Sequence, residues 1–583
     1  MAKNQELAKI FYEIANYLET EEVAFKPAAY RKAALGLEAL RDGVELVYKK
    51  GGRPALEEMP GVGKNIAEKI EEYIKSGRIR YYEQFKKRFP LDLNELIKVE
   101  GMGPKKAIFL YRKLRIGNLK DLERAAKAHK IAGLFGFGDK TEKNILQGIN
   151  FLKKSKGRFL LGDILPRVKE ILTRLRRLDD VEEISVAGSV RRMKETIGDV
   201  DILIIAKNYK KVMDFFVALP GVSKVWMKGP TKSSVRTAEG FDMDLRVVRK
   251  KSYGSALQYF TGSKEHNIFT RRIAMSRGLK LSEYGLFRGK KMIAGWSEQG
   301  IYKALGLVWI EPELRENQGE IEAALRQAQG KPNGLPKIVG YKDIKGDLHC
   351  HSDWAGGMNS IEELASEAKE RGYEYLGIAD HTKFLKIEHG LDEKGLVKRN
   401  KEIDKLNAGY LASRSSFQVL KGCEANIMND GSIDIKDEVL RQLDFVIAGV
   451  HSNFKMEKAE MTERIIRIMK NPNVDIISHP TGRILKRRDE YQIDFDKILR
   501  VAKEYGVVLE INAHPERLDL NDQNIRRAKD AGVKMVINTD SHEKSQLRFM
   551  ELGIAQARRG WAEKTDIINC CSLRRLLTFF KPR

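Results

Sequence analysis

Two aspartates stand two positions apart at the start of an apolar run, in the stretch AGSVRRMKETIGDVDILIIA (187–206). Neighbouring side chains on a strand point to opposite faces, so Asp199 and Asp201 are expected on one face and Val200 on the other. Asp244, in FDMDLRVV, is expected on a second alternating strand. Carboxylates this close repel one another unless a multivalent cation lies between them. The pattern therefore predicts a site for two Mg²⁺ or Mn²⁺ ions of the kind used in phosphoryl transfer.

The residues just before these carboxylates suit a triphosphate. Gly188 and Ser189 can offer backbone N–H groups in a turn, and the guanidinium of Arg192 can bind phosphate oxygens. A Gly-Ser turn followed by Asp-x-Asp is typical of nucleotidyltransferases. The alternative interpretation is a solvated pair of aspartates at a strand end.

Histidine is concentrated in the C-terminal part of the chain, where eight of the ten lie after residue 340. There, short apolar stretches repeatedly end in His, Asp or Glu. Any one of these histidines could be an ordinary core residue, but imidazole and carboxylate donors together suit Zn²⁺ or Mn²⁺. They are too many for one tetrahedral ion, so two or three ions and phosphoesterase chemistry are predicted. The predicted ligands are His349, His351, His381, Glu424, His451, His479, Asp540 and His542.

Glycine hairpins in the N-terminal region suggest a grip on phosphate. MPGVGKNIAEKI (59–70) and VEGMGPKKAIFL (99–110) share the pattern apolar-x-Gly-apolar-Gly followed by a predicted helix. LFGFGDKTEKNIL (134–146) is a weaker third copy. Glycine allows a close approach of the backbone, and the following helix presents free N–H groups. A single copy could be an ordinary helical hairpin. Repeated copies in a basic chain predict contact with a nucleic-acid backbone without base reading.

The overall composition fits a polyanion partner. The chain has 583 residues, with 106 Lys+Arg against 81 Asp+Glu, a formal charge of +25. A generally solvated basic surface is the alternative. Four cysteines without disulfide spacing fit a reducing compartment, and no apolar run reaches membrane-spanning length. We therefore expect a cytoplasmic protein without a membrane partner.

The chain is too long for one core, so we expect a multidomain protein. The order of its predicted helices and strands indicates α/β and α+β domains. The first 150 residues read as short amphipathic helices, and strands alternate with helices from about 158 to 310. The polar stretch 315–337 ends in Gly and Pro and is predicted to be a linker. After residue 341, repeated β-α units predict a distorted parallel barrel with its site at the strand C-termini.

Several motifs together resemble the family X DNA polymerases, the group of DNA polymerase β. These are GSVRRMKETIGDVDIL, DMDLRVV, YFTGSKEHN and LSEYGLF, and FKPAAYRKAA resembles the lyase-type domain of that group. The likeness runs from about residue 5 to 315. The histidine-rich part resembles the polymerase-and-histidinol-phosphatase (PHP) domain over nearly all of 341–583. Bacterial and archaeal members of the family carry this domain at the C-terminus.

The resemblance assigns roles to individual residues. It implies that Asp199, Asp201 and Asp244 are the catalytic metal-binding triad. It implies dNTP contacts for Arg158, Gly188, Ser189, Arg192, Gly198, Tyr259, Phe260, Gly262 and Asn267. With the hairpins, it implies DNA contacts for Lys26, Tyr30, Gly61, Gly63, Lys69, Gly101, Gly103, Lys232, Arg246 and Arg271.

The resemblance also implies domain boundaries. We expect a lyase-like helical DNA-binding domain at 1–85 and a second helix-hairpin-helix subdomain at 86–150. A nucleotidyltransferase palm at 151–250 and a nascent-base-pair-binding, thumb-like subdomain at 251–315 follow. A linker at 316–340 then leads to the PHP phosphoesterase domain at 341–583.

Two departures from the family pattern are visible. Asp242 stands where the vertebrate enzyme has an arginine near the primer end. In HSDWAGG, Gly356 stands where PHP domains usually have a metal-binding aspartate. Asp353 is near in sequence and is an alternative ligand; otherwise it is a solvated loop carboxylate. The missing ligand predicts a weakened nuclease.

Two further residues receive auxiliary roles. Asp380 is expected to orient His381. Lys69 matches the lysine of DNA polymerase β that forms a Schiff base with an opened abasic sugar. A neighbouring cation such as Lys64 would lower the pKa of Lys69 and so favour the neutral amine. The alternative is that Lys69 only binds a 5′ phosphate.

The resemblance, together with the carboxylate and hairpin motifs, implies a DNA-directed DNA polymerase that fills short gaps in base-excision repair with dNTPs and two Mg²⁺ or Mn²⁺ ions. The C-terminal domain would be a 3′→5′ exonuclease, with possible cleavage at abasic sites, holding two to three Mn²⁺ or Zn²⁺ ions. Gapped or primed duplex DNA would be the partner of a monomer. Alternatives are a template-independent nucleotidyltransferase, and a polymerase with an inactive, structural PHP domain.

Overall fold

The computed structural model describes residues 2–21, 25–40, 43–59, 61–97, 99, 102–154 and 157–580. The chain divides into two compact units. One consists of Met1–Lys156, Ile484–Asp489 and Glu543–Ser545, and the other of the remaining residues. Within the described ranges, no helix has the length and apolar character needed to cross a membrane.

The first unit is helical. Its helices are α1 (Ala2–Thr20), α2 (Lys26–Ala39), α3 (Val44–Glu57), α4 (Lys64–Ser76), α5 (Arg80–Arg88), α6 (Leu93–Leu96), α7 (Pro104–Leu114), α8 (Leu119–Lys127) and α9 (Asp139–Lys154). Leu7, Phe11 and Ile14 of α1 lie on one face and are fully buried, as the helical period of the sequence predicts.

The glycine hairpins adopt one common turn. The N–H of Val62 donates to the carbonyl of Met59 over 3.0 Å, and the same bond joins Met102 to Val99 and Phe137 to Leu134, at 3.0 and 2.9 Å. Helices α4, α7 and α9 begin directly after these turns. The copy at 134–146, weaker in sequence, therefore forms the same turn. Gly101 lies outside the described residues.

The second unit begins with a mixed five-stranded sheet in the order β2-β4-β7-β6-β5. Strand β4 runs parallel to β7, which pairs Asp201 with Asp244. The elements of this part are β1 (Phe159–Leu160), α10 (Leu161–Arg176), β2 (Val181–Val186), α11 (Gly188–Arg191), β3 (Thr196–Ile197), β4 (Asp199–Ala206), α12 (Tyr209–Val217), β5 (Val222–Lys228), β6 (Lys232–Thr237) and β7 (Asp242–Val247).

Helices and a small antiparallel sheet follow. They are α13 (Tyr253–Thr261), α14 (Lys264–Ser276), β8 (Lys280–Ser282), β9 (Gly285–Arg288), β10 (Lys291–Ala294), α15 (Glu298–Ala304) and α16 (Glu320–Ala328). Helix α16 lies inside the stretch predicted to be a linker. Its Ile321 and Ala324 are buried in a core that also contains Trp561. The prediction of a polar linker did not anticipate this helix, because a narrow apolar stripe is enough to dock a short helix.

The C-terminal part contains eight parallel strands in two sheets, β11-β12-β13 and β14-β15-β16-β17-β18. Single bridges join Cys350 to Ser541 and His381 to Glu424, so both ends of the sheets meet, as in a distorted barrel. The elements are β11 (Gly346–Cys350), α17 (Ile361–Glu370), β12 (Tyr375–Ile378), α18 (Glu393–Ala412), β13 (Gln418–Lys421), β14 (Glu424–Asn426), α19 (Asp437–Leu440), β15 (Ile447–Gly449), α20 (Lys458–Met469), β16 (Ile476–Ile477), α21 (Phe495–Tyr505), β17 (Val508–Asn512), α22 (Asp522–Ala531), β18 (Met535–Asn538), α23 (Met550–Arg559) and α24 (Leu573–Leu576). The predicted fold class is confirmed.

Candidate active sites

The three aspartates singled out in the sequence lie on one face of neighbouring strands. Asp199 and Asp201 alternate on β4 with the fully buried Val200 and Ile202, and Asp244 stands beside Asp201 on β7. Burial and the nearby charge of Asp199 raise the pKa of Asp201 to about 6. Crowded carboxylate oxygens are the donors that Mg²⁺ and Mn²⁺ prefer, so the residues present fit such ions.

A glycine turn closes over this carboxylate face. Gly188 has a φ of +62°, and a Cβ on it would stand only 3.1 Å from Oδ2 of Asp201. The N–H of Ala187 donates to the carbonyl of Asp201 over 2.8 Å, which fixes the turn against β4. Glycine is required here by both the backbone conformation and the close approach. Ser189 follows in the short helix α11.

The arginines predicted to contact the triphosphate are held by protein acceptors. Arg158 donates from Nε to Oγ1 of Thr196 over 2.9 Å, and its Nη1 lies 3.9 Å from the Cβ position of Gly198. Arg192 donates from Nε to Glu316 over 2.9 Å and from Nη1 to the carbonyl of Thr261. Their guanidinium groups are therefore positioned by the fold.

A cavity of about 280 Å³ adjoins Arg192. Asn267 is fixed in its wall, because its Oδ1 accepts from Gln258 over 2.8 Å and its Nδ2 donates to the carbonyl of Tyr259 over 2.6 Å. Lys264 was missed by the sequence reasoning, although its position after Gly262-Ser263 at the start of α14 was a usable signal. The lining residues are Arg192, Tyr259, Phe260, Gly262, Lys264, Asn267 and Arg271.

Two predicted DNA contacts lie against the carboxylate face. Lys232 Nζ is 2.7 Å from Oδ2 of Asp244, and Arg246 lies 3.3 Å from the same oxygen. Asp242, the departure near the primer end, pairs with Arg236 at 2.8 Å. Arg236 thus places a cation beside the position where the vertebrate enzyme has its arginine.

The N-terminal unit holds the other predicted DNA contacts. The Nζ of Lys69 lies 5.9 Å from the ring centroid of Tyr30 and 5.2 Å from that of Tyr81. Desolvation lowers the pKa of Lys69, and the charge of Lys26 lowers it further, against the opposing effect of Glu68. Lys26 is thus a neighbouring cation with the effect that was expected of Lys64.

Two hairpin glycines leave room for a ligand. A Cβ on Gly63 or Gly103 would meet no atom of the described chain within 4 Å. A Cβ on Gly61 would instead stand 2.8 Å from Cβ of Lys32. Gly63 and Gly103 therefore leave space for a phosphate to approach, whereas Gly61 packs against α2.

The predicted ligands of the barrel come together in its interior. Within the described residues, their nitrogens and oxygens form three compact groups. The carboxylate of Glu424 lies at the centre, since four imidazole nitrogens are 2.9–3.4 Å from its oxygens. The three groups are His351/His381/His542, His349/His351/Asp540 and His381/Glu424/His451. His479 lies outside these groups but 3.0 Å from Glu424.

The chemistry of these donors fits metal ions. Buried atoms of His349, His381, Glu424 and His451 have no hydrogen-bond partner in the described chain, which is costly unless another ligand satisfies them. Burial would raise the pKa of Glu424, but the imidazoles of His349 and His451 hold it well below its ordinary value. An ionised carboxylate among imidazoles is a donor set for Zn²⁺ or Mn²⁺.

A second layer of groups orients these ligands. Nδ1 of His349 lies 2.7 Å from Oε1 of Glu510, a fully buried carboxylate on β17 that the sequence reasoning missed. An acid inside the apolar strand VVLEIN was the available signal. The expected role of Asp380 was wrong: it accepts from the backbone N–H of Ser352 over 2.6 Å and pairs with Arg399, not with His381.

Family profiles match four segments of the chain. They are a helix-hairpin-helix domain at residues 2–79, a SAM-like helix-hairpin-helix tandem at 93–150, the DNA polymerase beta thumb at 256–316 and a PHP domain at 347–514.

Curated relatives agree with these matches. A Bacillus subtilis (strain 168) protein named DNA polymerase/3′-5′ exonuclease PolX is 36% identical over 582 residues, which cover 99% of both chains. A probable phosphatase of Acetivibrio thermocellus is 32% identical over 205 residues, or 34% of this chain and 78% of its own. A carboxylate-bearing sheet, helical hairpins and a histidine-lined barrel thus occur in one chain with a full-length relative, and the chain belongs to the family X DNA polymerases that carry a PHP domain.

Proposed function

We propose that this protein is a DNA-directed DNA polymerase that fills short gaps in DNA during base-excision repair, acting as a monomer on gapped or primed duplex with dNTPs. The observation that carries the proposal is the face formed by Asp199, Asp201 and Asp244 beneath the Gly188 turn, next to the cavity behind Arg192. Carboxylates that can hold metal ions, beside a glycine turn that can offer backbone N–H groups to phosphate, are what nucleotidyl transfer requires.

The residues around the carboxylates would each position part of the substrate. The turn at Gly188-Ser189 and the guanidinium of Arg192 would hold the triphosphate. Tyr259 and Phe260, whose rings meet edge to face at 5.2 Å, would bound the sugar. Two divalent ions on the aspartates would neutralise charge at the transferring phosphate and favour loss of the primer hydroxyl proton. Asn267 would face the minor-groove side of the new base.

We further propose that the barrel is a 3′→5′ exonuclease that removes mismatched primer ends before extension. Its ligand groups would hold Mn²⁺ or Zn²⁺ ions, which would supply Lewis-acid activation of the phosphodiester. The missing carboxylate at Gly356 predicts a weaker nuclease, and the group His351/His381/His542 is where that weakness would arise. A carboxylate supplied to that group from elsewhere in the chain would restore its strength.

The helical hairpins would hold the DNA without reading its sequence. The turn at Gly63 would bind the phosphate at the downstream 5′ end, and the turn at Gly103 would bind the primer-side duplex. Such contacts go to the backbone, so affinity should fall steeply with salt and depend little on sequence.

Incubation of the full chain with an end-labelled gapped duplex tests both activities together. The reactions are run with and without dNTPs, in Mg²⁺ and in Mn²⁺. We expect template-directed extension that stops when the gap is filled, and shortening of the primer when dNTPs are omitted. Addition of nucleotides without regard to the template would contradict the proposal and favour a template-independent transferase. Extension without shortening in either metal would contradict the nuclease half alone.

A further inference from the structure

One of the three ligand groups in the barrel differs from the others. The groups around Asp540 and Glu424 each combine imidazoles with a carboxylate, whereas His351, His381 and His542 offer imidazoles only. Three imidazoles leave a tetrahedral ion with one open position, and none of the three supplies an anionic donor. A carboxylate near this group would supply the missing anionic donor.

The imidazoles of this group are arranged as ligands. Nδ1 of His542 lies 3.0 Å from the backbone carbonyl of Asp540, to which it can donate its proton, so Nε2 carries the lone pair. That Nε2 lies 3.4 Å from Nε2 of His381. Two nitrogens that each bind a tetrahedral ion at 2.0–2.1 Å are separated by about 3.3 Å. The spacing fits one ion shared by both rings.

Glu388 brings a carboxylate to the same place. It ends the single 3-10 turn Lys386–Glu388, and its side chain is half-buried. A Cβ built on Gly356 would lie 3.3 Å from Oε2 of Glu388 and 3.3 Å from Cδ2 of His381. The oxygen thus lies beside the position that a side chain at residue 356 would occupy, and that position adjoins the ring of His381. No cation of the described chain forms an ion pair with Glu388.

We propose that Glu388 is a metal ligand of the His351/His381/His542 group and supplies from another loop the carboxylate that residue 356 lacks. Gly356, with a φ of +83° and no side chain, leaves the space into which Glu388 reaches. Neither Glu388 nor the earlier alternative, Asp353, belongs to the three groups within the described residues, but Asp353 is exposed whereas Glu388 is half-buried beside the position of residue 356. This inference rests on the proposed metal-dependent nuclease and names one ligand of its site.

Metal counting on the full chain tests the inference without any DNA. Wild type and variants are stripped of metal, loaded with Zn²⁺ or Mn²⁺ alone, freed of excess ion and analysed by elemental mass spectrometry. We expect Glu388→Gln to retain one ion fewer than wild type, or to bind its weakest ion roughly 10–100-fold less tightly. Glu370→Gln removes the same charge from the exposed end of α17 and should match wild type. Thermal unfolding of the metal-free proteins verifies that both variants fold.

A compensating variant sharpens the test. Gly356→Asp in the Glu388→Gln background should restore the lost ion, since aspartate tolerates a positive φ better than most residues. The inference is overturned if Glu388→Gln keeps the wild-type ion number at unchanged affinity, or if Asp353→Asn is the variant that loses an ion. A protein that binds ions through Glu388 but does not degrade DNA would contradict the proposed nuclease and leave the ligand assignment standing.

Discussion

At the scale of single residues, the amine of Lys69 lies in a partly desolvated site close to two tyrosine rings. Since burial lowers the pKa of Lys69, its amine becomes neutral at a lower pH than that of an exposed lysine. We predict a Schiff base with the opened sugar of an incised abasic duplex. Borohydride trapping should increase as pH rises, with a midpoint below the ordinary lysine pKa.

Lys69→Arg is the matched control, because arginine keeps the positive charge but forms no such adduct. It should retain binding to gapped DNA and lose all trapping. If wild type binds the gap yet gives no covalent product at any pH, Lys69 serves only as a phosphate ligand.

Single residues also show where sequence reasoning reached its limit. The aspartates on β4 and β7 could be placed on one face because strand alternation is a local rule. Glu510 could not be assigned, because the histidine it contacts, His349, lies far away in the chain. Asp380 was misjudged for a different reason: side chains adjacent in sequence point in different directions, and Asp380 pairs with Arg399 instead of His381.

At the scale of elements, two hairpin glycines have different roles: Gly61 is needed for stability and Gly103 for DNA binding. Gly61 has a φ of +76° and a close approach to Lys32, so Gly61→Ala should destabilise the protein by about 1–2 kcal/mol or more. Gly103 has a φ of −83° and open space around it, so Gly103→Ala should fold normally. Its methyl group should hold a phosphate away from the N-terminus of α7, which costs roughly 1.5 kcal/mol of binding, or about tenfold.

Thermal unfolding and binding to a labelled gapped duplex measure the two effects. A Gly103→Ala variant with wild-type affinity and a lowered melting temperature would contradict this division of roles.

Elements built on repeated local patterns were the most predictable. The two strong hairpin motifs and the β-α units of the barrel could be recognised because their spacing repeats. Helix α16 could not, because Ile321 and Ala324 form too short an apolar stripe among polar residues, and only the surface it packs on makes it a core element.

At the scale of the whole molecule, buried polar contacts join the polymerase sheet region to the barrel. Glu195, just before β3, accepts from Arg483 over 2.6 Å and from Gln556 over 2.7 Å. Arg559 is buried and donates to the backbone carbonyl of Arg192 over 3.0 Å. The side chain of Arg559, in the barrel, thus supports the backbone of Arg192, which is predicted to hold the triphosphate.

Removal of Glu195 should therefore loosen this connection. Glu195→Ala leaves the guanidinium of Arg483 without its charged partner, which should cost about 3 kcal/mol of unfolding free energy. The matched control is Glu551→Gln, which breaks an exposed pair with Lys169 between the same two regions and should cost less than about 1 kcal/mol. Denaturant unfolding compares the two, and equal losses would contradict the importance of the buried contact.

The central claim is that one chain carries two separate active sites, and a pair of single variants tests it most directly. Asp201→Ala and His451→Ala are assayed on the labelled gapped duplex for extension and for primer shortening, with circular dichroism to verify folding. The account predicts that Asp201→Ala loses extension and keeps shortening, whereas His451→Ala keeps extension and loses shortening, each by several kcal/mol of transition-state stabilisation. If either folded variant lost both activities, the two sites would not be separate and the account would be wrong.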